Sequence, residues 1–285
     1  AEYLNTTKEL NHNVLLIFQP AEETLGGAEE ICKSGIFTKY NVSQVFGIHL
    51  WPFLPKGVIS SRPGAFMPKS AEINVDINGR AAHGTAPYEG LDALYITADY
   101  VKRTYADHAK VFGAIHRFAD GVGDLTYQPC DIPEEKTLIH FGKMESGYAR
   151  NIVSDYSHLL GTIRAYDEDH FQKLVGILTK NLKDIEEEYH CTTGFSHSDG
   201  YPPVTNDPAL YEEIRPVLEH LESGYEEMAQ PLMISEDFSF YGQYAPAVFF
   251  VLGTGTGIPL HSTNFDFEED LLLSGFTLYQ SLLTR

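Results

Sequence analysis

Apolar and polar positions alternate with helical and strand periods along most of the chain, and the order of these patterns predicts two domains. The apolar runs HNVLLIF (12–18) and VSQVFGIHL (42–50) predict buried strands, with a helix over AEEICKSGIF (28–37) between them. Near the C-terminus, AVFFVLG (247–253) predicts another buried strand. Helices are predicted over 205–221, where Asp207 is a fitting N-cap, and over 266–285.

The middle of the chain follows a different order. Half-buried strands are predicted for SAEINVDINGR, KTLIHFGKMES, SHLLGTIRAYD and CTTGFSHSDGYPP, and amphipathic helices for DALYITADYVKRTYADHA and the segment 167–189. Their order is β-α-β-β-α-β, which is the ferredoxin-like unit. We therefore predict an α/β fold class: an α/β domain of residues 1–68 and 203–285, with an inserted ferredoxin-like α+β domain over 69–202.

Composition narrows the possible partners. The chain has 20 basic and 40 acidic residues and a formal charge of −20, so nucleic acid is excluded as an expected partner, because phosphate binding requires clustered Lys and Arg. No apolar run approaches 18 residues, so no membrane span is expected. Three cysteines argue against a disulfide framework and favour the cytoplasm.

Candidate chemistry lies at the ends of the predicted strands. Glu22 and Glu23 follow the first strand, although a helix dipole alone would favour such a pair. His49 and His261 also follow apolar strands, where a buried core histidine is the alternative interpretation. Two histidines and a carboxylate together are typical of a hydrolytic zinc or manganese centre.

Five segments occur in an order that resembles a known family. They are FQPAEE followed by GGA, GIHLWP, GTIRAYD, SEDFSFYG and PLHS, and they extend over nearly the whole chain. Together they resemble the dinuclear metal-dependent amidohydrolases and aminoacylase-like peptidases. That family includes hippurate hydrolase, the plant auxin-conjugate hydrolases and, most similar here, the bacterial N-acetyldiaminopimelate deacetylases.

The resemblance implies a metal-dependent amidohydrolase with two divalent metal ions, Mn, Zn or Co. By this resemblance, Glu22 is expected to be the general base, and Glu23, His49 and His261 are expected to be metal ligands. A pair of metal ions would stabilise both the attacking hydroxide and the oxyanion. The domain formed by 1–68 and 203–285 becomes catalytic, and the inserted domain becomes a lid through which a homodimer forms.

In the inserted domain, the resemblance also selects His83, in NGRAAHGTAP, as a group that stabilises the oxyanion. The alternative is a solvent-exposed turn histidine. Many relatives carry a second histidine where this chain has Tyr88, which weakens the assignment of this loop.

Asn151 and Arg164 match segments that the family uses near the substrate carboxylate. An Arg fork suits a carboxylate because it donates two parallel hydrogen bonds. Alternatively, Arg164 could pair with Asp155 or Asp167. In SEDFSF, Glu236 and Asp237 are expected to be structural groups that orient ligands.

One family motif has no counterpart here. Relatives carry a CGHD-type motif before FQPAEE, whereas none of Cys32, Cys130 and Cys191 lies in such a motif. The sequence thus resembles a family member without its N-terminal part. A serine hydrolase is disfavoured because no G-x-S-x-G occurs.

The expected reaction is hydrolysis of an N-acyl amino acid, a small-molecule substrate, with N-acetyl-L,L-diaminopimelate in lysine biosynthesis as the first choice. A general, hippurate-type amidohydrolase is the nearest alternative. A truncated, non-catalytic chain that only dimerises is the alternative from another class.

Overall fold

The computed structural model describes residues 2–7, 10–24, 26–113 and 137–285. Cys130 lies outside these ranges. Contacts divide the chain into two compact units. The first unit comprises residues 1–67, 204–232 and 236–285, and the second comprises 68–203 and 233–235.

The helices and strands have the following bounds. The α-helices are α1 (Glu2–Thr6), α2 (Ala28–Lys33), α3 (Ile36–Lys39), α4 (Ala93–Phe112), α5 (Glu168–Tyr189), α6 (Pro208–Glu219) and α7 (Leu272–Leu283). The strands are β1 (Val45–Trp51), β2 (Ile59–Ser61), β3 (Gly64–Met67), β4 (Lys69–Asn78), β5 (Leu138–Ser146), β6 (Tyr156–Ala165), β7 (Thr192–His197), β8 (Val204–Asn206), β9 (Tyr225–Glu227) and β10 (Ala247–Gly253). Short 3-10 helices span Pro87–Glu89, Asp237–Gln243 and Glu269–Leu271.

The first unit is built on a sheet with the order β1-β10-β2-β9, next to a two-stranded β3-β8 sheet. β1 and β10 are parallel, with Val45 opposite Ala247 and Trp51 opposite Gly253. Every residue of β10 is buried, whereas β1 is only half-buried along its length. Apolar residues of α6 and α7 form one core with β10 and β2. Because β1 and β10 run in parallel, their carboxyl ends lie at the same edge of the sheet.

Local signals in this unit gave correct and incorrect predictions. Asp207 caps α6 as predicted, since its Oδ1 accepts from the Leu210 N–H at 2.7 Å. The strand predicted over 12–18 is wrong: the structure describes this whole segment, which forms no β-ladder and leaves Phe18 88% exposed. The helix predicted over 28–37 is interrupted, because Gly35 adopts a φ of 77° between α2 and α3.

The second unit has the element order β4-α4-β5-β6-α5-β7 and the sheet order β5-β6-β4-β7, antiparallel throughout. This is the ferredoxin-like arrangement, and the mixed α/β fold class predicted from the sequence is confirmed. Burial alternates along β4, whose Ala71, Ile73, Val75 and Ile77 point into a core shared with α4 and α5. The opposite face of the sheet carries polar side chains such as Asp76 and His158.

Within the described ranges, none of the helices combines the length and apolar character needed to cross a membrane.

Candidate active site

Glu22 and Glu23 lie on a tight turn that precedes α2. The turn begins at Ala21, which adopts a left-handed φ of 64°, and the Ala21 carbonyl accepts from the N–H groups of Thr24 and Gly26. At Gly27, a Cβ atom would meet the Pro20 carbonyl oxygen at 2.1 Å, so only glycine lets the chain close here. The turn leaves Glu23 exposed and Glu22 half-buried.

His49 stands near the carboxyl end of β1, opposite Val251. Its Nδ1 lies 2.7 Å from the Leu50 carbonyl oxygen. Since a carbonyl can only accept, Nδ1 carries the proton, and Nε2 is left with its lone pair. That is the tautomer in which Nε2 can bind a metal ion.

His261 lies on the loop that follows β10. It adopts a φ of 63°, and its side chain is 72% exposed. The beginning of this loop is hydrogen-bonded to the segment after β1: Thr254 N–H donates to Trp51 O, and Gly257 N–H donates to Pro52 O, both at 2.9 Å. This arrangement brings His261 Nε2 to 3.8 Å from Glu23 Oε2.

Glu22 is hydrogen-bonded to Glu236, which immediately precedes the 3-10 helix Asp237–Gln243. Two carboxyl groups can share such a bond only if one of them holds a proton. Burial, followed by the charge of Glu22, raises the pKa of Glu236 to about 8, so Glu236 is the donor at neutral pH. Burial also raises the pKa of Glu22.

Gly47 allows this 3-10 helix to approach the sheet. A Cβ atom on Gly47 would lie 2.6 Å from the Phe238 ring and 2.7 Å from the Phe249 ring. Phe238 and Phe249 pack with ring centroids 4.6 Å apart. The absence of a side chain at Gly47 therefore places Glu236 and Asp237 beside the strand that carries His49.

The second unit holds the other predicted site residues. His83 and Asn151 lie on adjacent loops, because the Gly84 N–H donates to the Asn151 carbonyl at 2.7 Å and His83 forms a bridge with Ile152. The His83 side chain is exposed, and its Nδ1 lies 2.8 Å from Thr85 Oγ1.

Arg164 lies on β6, apart from that pair of loops. Its Nη1 donates to the Met233 carbonyl at 2.8 Å, and burial lowers the pKa of its guanidinium. In the described part of the chain, neither alternative partner pairs with it. Asp167 caps α5, and Oδ1 of Asp155 is buried without a hydrogen-bond partner.

Comparison with known proteins identifies the family. The model of the peptidase family M20/M25/M40 matches residues 1–285. The chain belongs to this family. A Staphylococcus epidermidis protein named as an uncharacterized hydrolase is 30% identical over 287 residues, which cover 96% of this chain and 68% of the relative.

Solved structures show the same fold. A protein described as an aminohydrolase from methicillin-resistant Staphylococcus aureus has a TM-score of 0.78 at 23% identity. YXEP of Bacillus subtilis, described as a dinuclear metal-binding peptidase of the M20 family, has a TM-score of 0.71 at 19% identity. This chain is covered to 94% in both comparisons but spans only 64% and 63% of those chains. The resemblance to a hydrolase family is thus confirmed at family level.

The side chains of this M20 chain suit a divalent metal ion. Ligand atoms held about 2.1 Å from one ion lie roughly 3 to 3.5 Å apart, and the Glu23–His261 separation of 3.8 Å is close to that range. His49 has the tautomer that a metal ligand needs, but in the described part of the chain Glu23, His49 and His261 do not lie within 4.8 Å of one another as one group. Carboxylate and imidazole are donors that zinc and manganese both accept.

The role of Glu236 as the hydrogen-bond partner of Glu22 was missed in the sequence, and so was Gln19. Gln19 Nε2 donates to both oxygens of Asp237, at 2.8 and 2.7 Å. The available signals were an acidic pair before the last buried strand and a glutamine just before Pro20. Neither signal indicates which of 40 acidic residues would meet the Glu22 turn.

Proposed function

We propose that this M20 chain carries the catalytic centre of a metal-dependent amidohydrolase that cleaves the amide bond of an N-acyl amino acid. The observation that supports this most strongly is the approach of His261 Nε2 to Glu23 Oε2, at 3.8 Å, from loops far apart in sequence. The hydrogen-bonded carboxyl pair Glu22–Glu236 beside them supplies a group suited to proton transfer.

Glu23, His49 and His261 would hold the metal. When bound, a divalent metal ion polarises the amide carbonyl and makes water a stronger acid. The exposure of Glu23 and His261 leaves both side chains free to reorient toward an ion. The Leu50 carbonyl keeps the His49 ring in one orientation.

Glu22 would act as the general base. It takes a proton from the attacking water and delivers it to the nitrogen of the leaving amine, so that the C–N bond breaks with a neutral amine leaving. A raised pKa brings a carboxylate closer to the working pH, where a general base is most effective. Glu236 keeps Glu22 oriented by donating its own proton in a hydrogen bond.

The substrate assignment is the finer part of the proposal. Arg164 and Asn151 would each contact the substrate near its carboxylate, and His83 would stabilise the oxyanion. The guanidinium of Arg164 is partly buried without a paired carboxylate in the described ranges, and such a group favours an anionic ligand. N-acetyl-L,L-diaminopimelate is the proposed substrate, and a homodimer formed through the second unit is the proposed assembly.

Two substitutions test the chemistry. Glu22→Gln should lower kcat by about 10²- to 10⁴-fold while metal binding persists, because only the proton carrier is lost. Glu23→Gln should instead weaken binding of Mn²⁺ or Zn²⁺ in calorimetric titrations. Glu30→Gln, on an exposed position of α2, is the matched control and should change neither measurement.

The assay compares hydrolysis of N-acetyl-L,L-diaminopimelate and hippurate by the purified protein with added Mn²⁺, Zn²⁺ or Co²⁺. A higher kcat/KM on the acetylated diamino acid supports the deacetylase assignment, and a higher value on hippurate replaces it with a general amidohydrolase. Unchanged kcat in Glu22→Gln would show that the general base has been wrongly assigned.

A further inference from the structure

Asp237 lies next to Glu236 in sequence but in a different environment. It is fully buried, and its oxygens lie within 4.8 Å of those of Glu22 and Glu236, a spacing that would allow a shared metal ion. The hydrogen bonds argue against that role. A carboxylate accepts at about four lone-pair positions, and nitrogen donors occupy both oxygens of Asp237.

The donors to Asp237 come from two points along the chain. Oδ1 accepts from Gln19 Nε2 at 2.8 Å. Oδ2 accepts from the same nitrogen at 2.7 Å, from the Gly27 N–H at 2.8 Å and from the Ala28 N–H at 3.1 Å. The Gln19 amide is oriented in turn, because Tyr241 Oη donates to its Oε1 at 2.6 Å.

These two points flank the turn that carries Glu22 and Glu23. Gln19 precedes the turn, and Gly27, the N-cap of α2, follows it. One buried carboxylate therefore connects the residues on both sides of the turn. The turn requires support because Ala21 has a left-handed φ that a residue with a side chain rarely adopts. Within the turn, the Ala21 carbonyl oxygen accepts from the Thr24 and Gly26 N–H groups and from Thr24 Oγ1, so these bonds all lie inside the turn and do not tie it to the rest of the unit.

We propose that Asp237 is the positioning residue of the active-site turn. Through Gln19 and the first N–H groups of α2, it holds Glu22 against Glu236 and Glu23 toward His261, and it binds no metal itself. The part of this proposal that concerns metal affinity rests on the proposed function, while the part that concerns the conformation of the turn does not.

Because position 19 donates and position 237 accepts, a double variant that swaps the donor and the acceptor between these two positions tests the proposal. Asp237→Asn places an amide N–H₂ against the N–H₂ of Gln19, so two donors face each other. In the double variant Gln19→Glu/Asp237→Asn, the new amide can donate to the new carboxylate, which can also accept from Tyr241. The amide oxygen at 237 still accepts from Gly27 and Ala28, and the net charge is that of the original chain.

Hydrogen–deuterium exchange of the peptide spanning 19–28 reports on the turn without metal. We expect Asp237→Asn to raise exchange at Gly27 and Ala28 about tenfold, because without the hydrogen bond to Gln19 the whole turn opens more often, and one lost hydrogen bond corresponds to about that factor. We also expect it to weaken Mn²⁺ binding in calorimetric titrations by about 10- to 100-fold. The double variant should restore both quantities, and the charge-matched control Asp207→Asn should alter neither.

An unchanged rate of hydrogen–deuterium exchange in Asp237→Asn would overturn the proposal. So would a faster rate, or a weaker Mn²⁺ affinity, that the double variant Gln19→Glu/Asp237→Asn fails to restore. If Asp237→Asn does not fold, Tyr241→Phe removes only the hydroxyl that orients Gln19, and unchanged exchange in that variant is equally decisive. If Glu23→Gln retains full Mn²⁺ affinity, the metal-ligand assignment fails while the exchange data still decide the role of Asp237.

Discussion

The proton on Glu236 makes the stability of the first unit depend on pH, and Glu236→Gln should remove that dependence. The pKa of Glu236 rises from an ordinary 4.5 to about 8 on folding, mainly because the group is buried and secondly because it faces Glu22. Glutamine has nearly the same shape and never ionises. It also keeps an N–H donor toward Glu22, so the hydrogen bond survives.

Whether stability rises or falls with pH depends on which state, folded or unfolded, holds the proton of Glu236. Below pH 4.5 both the folded and the unfolded chain hold the proton, and ionisation of Glu236 contributes no pH dependence. Between pH 4.5 and about 8 only the folded chain holds it, so the free energy of unfolding falls as pH rises, by about 1.4 kcal/mol per unit. Across that interval the loss has an upper bound of about 4 to 5 kcal/mol.

The assay is urea unfolding in EDTA at several pH values from 4.5 to 8.5, followed by tryptophan fluorescence. The chain has a single tryptophan, Trp51 at the end of β1, so the signal reports on the unit that contains Glu236. Glu236→Gln should match the original chain near pH 4.5 and become increasingly more stable above pH 6. Glu269→Gln, at an exposed position in the same unit, is the control and should follow the original chain.

Parallel stability curves for the original chain and Glu236→Gln over this range would refute the reasoning, because they would show that the folded chain does not take up a proton at Glu236. A stability gain that is equal at all pH values would point instead to better packing of glutamine.

Three further predictions concern packing, capping and reactivity. Gly47→Ala should lower stability by about 1 to 3 kcal/mol in urea unfolding, because the added methyl group overlaps the Phe238 ring; an unchanged midpoint would show that the ring moves freely. Asp207→Ala should cost about 1 kcal/mol by removing the cap on the Leu210 N–H, whereas Asp207→Ser should restore most of it. Burial raises the pKa of the Cys32 thiol to about 11, so iodoacetamide at pH 8 should leave Cys32 unmodified in the folded chain, and mass spectrometry of its peptide would detect any reaction.

The second unit could be predicted from local sequence patterns because its strands each have one buried face. Along β4, Ala71, Ile73 and Val75 alternate with polar residues, and the structure buries the apolar set. The helical period over α4 and α5 is equally clear, since both helices cover the sheet with one face. The resulting order β-α-β-β-α-β corresponds to one well-known arrangement, the ferredoxin-like unit, so the topology followed from the order of the elements.

The apolar run at 12–18 shows where this approach fails. Its composition is that of a buried strand, but a strand exists only where another strand supplies its hydrogen bonds, and this condition is not local. The described residues offer no such ladder, so Leu16 and Phe18 are exposed. The break between α2 and α3 has a local cause, Gly35, and its left-handed conformation could have been anticipated from the sequence.

The site combines two pairs of adjacent acidic residues, and in each pair the environment separates the two members. Glu22 is half-buried and bonded to a protonated carboxyl, while Glu23 is exposed beside an imidazole. Glu236 retains its proton because burial opposes its ionisation, whereas Asp237 accepts hydrogen bonds from a side-chain amide and two backbone N–H groups. The sequence shows the residue types of both pairs but not these environments. Each acidic residue is surrounded by groups from segments that are distant in the chain, and a local pattern does not indicate which segments meet. This division fits the proposed roles, with proton transfer at Glu22, metal binding at Glu23 and Asp237 as the proposed residue that holds the turn carrying both.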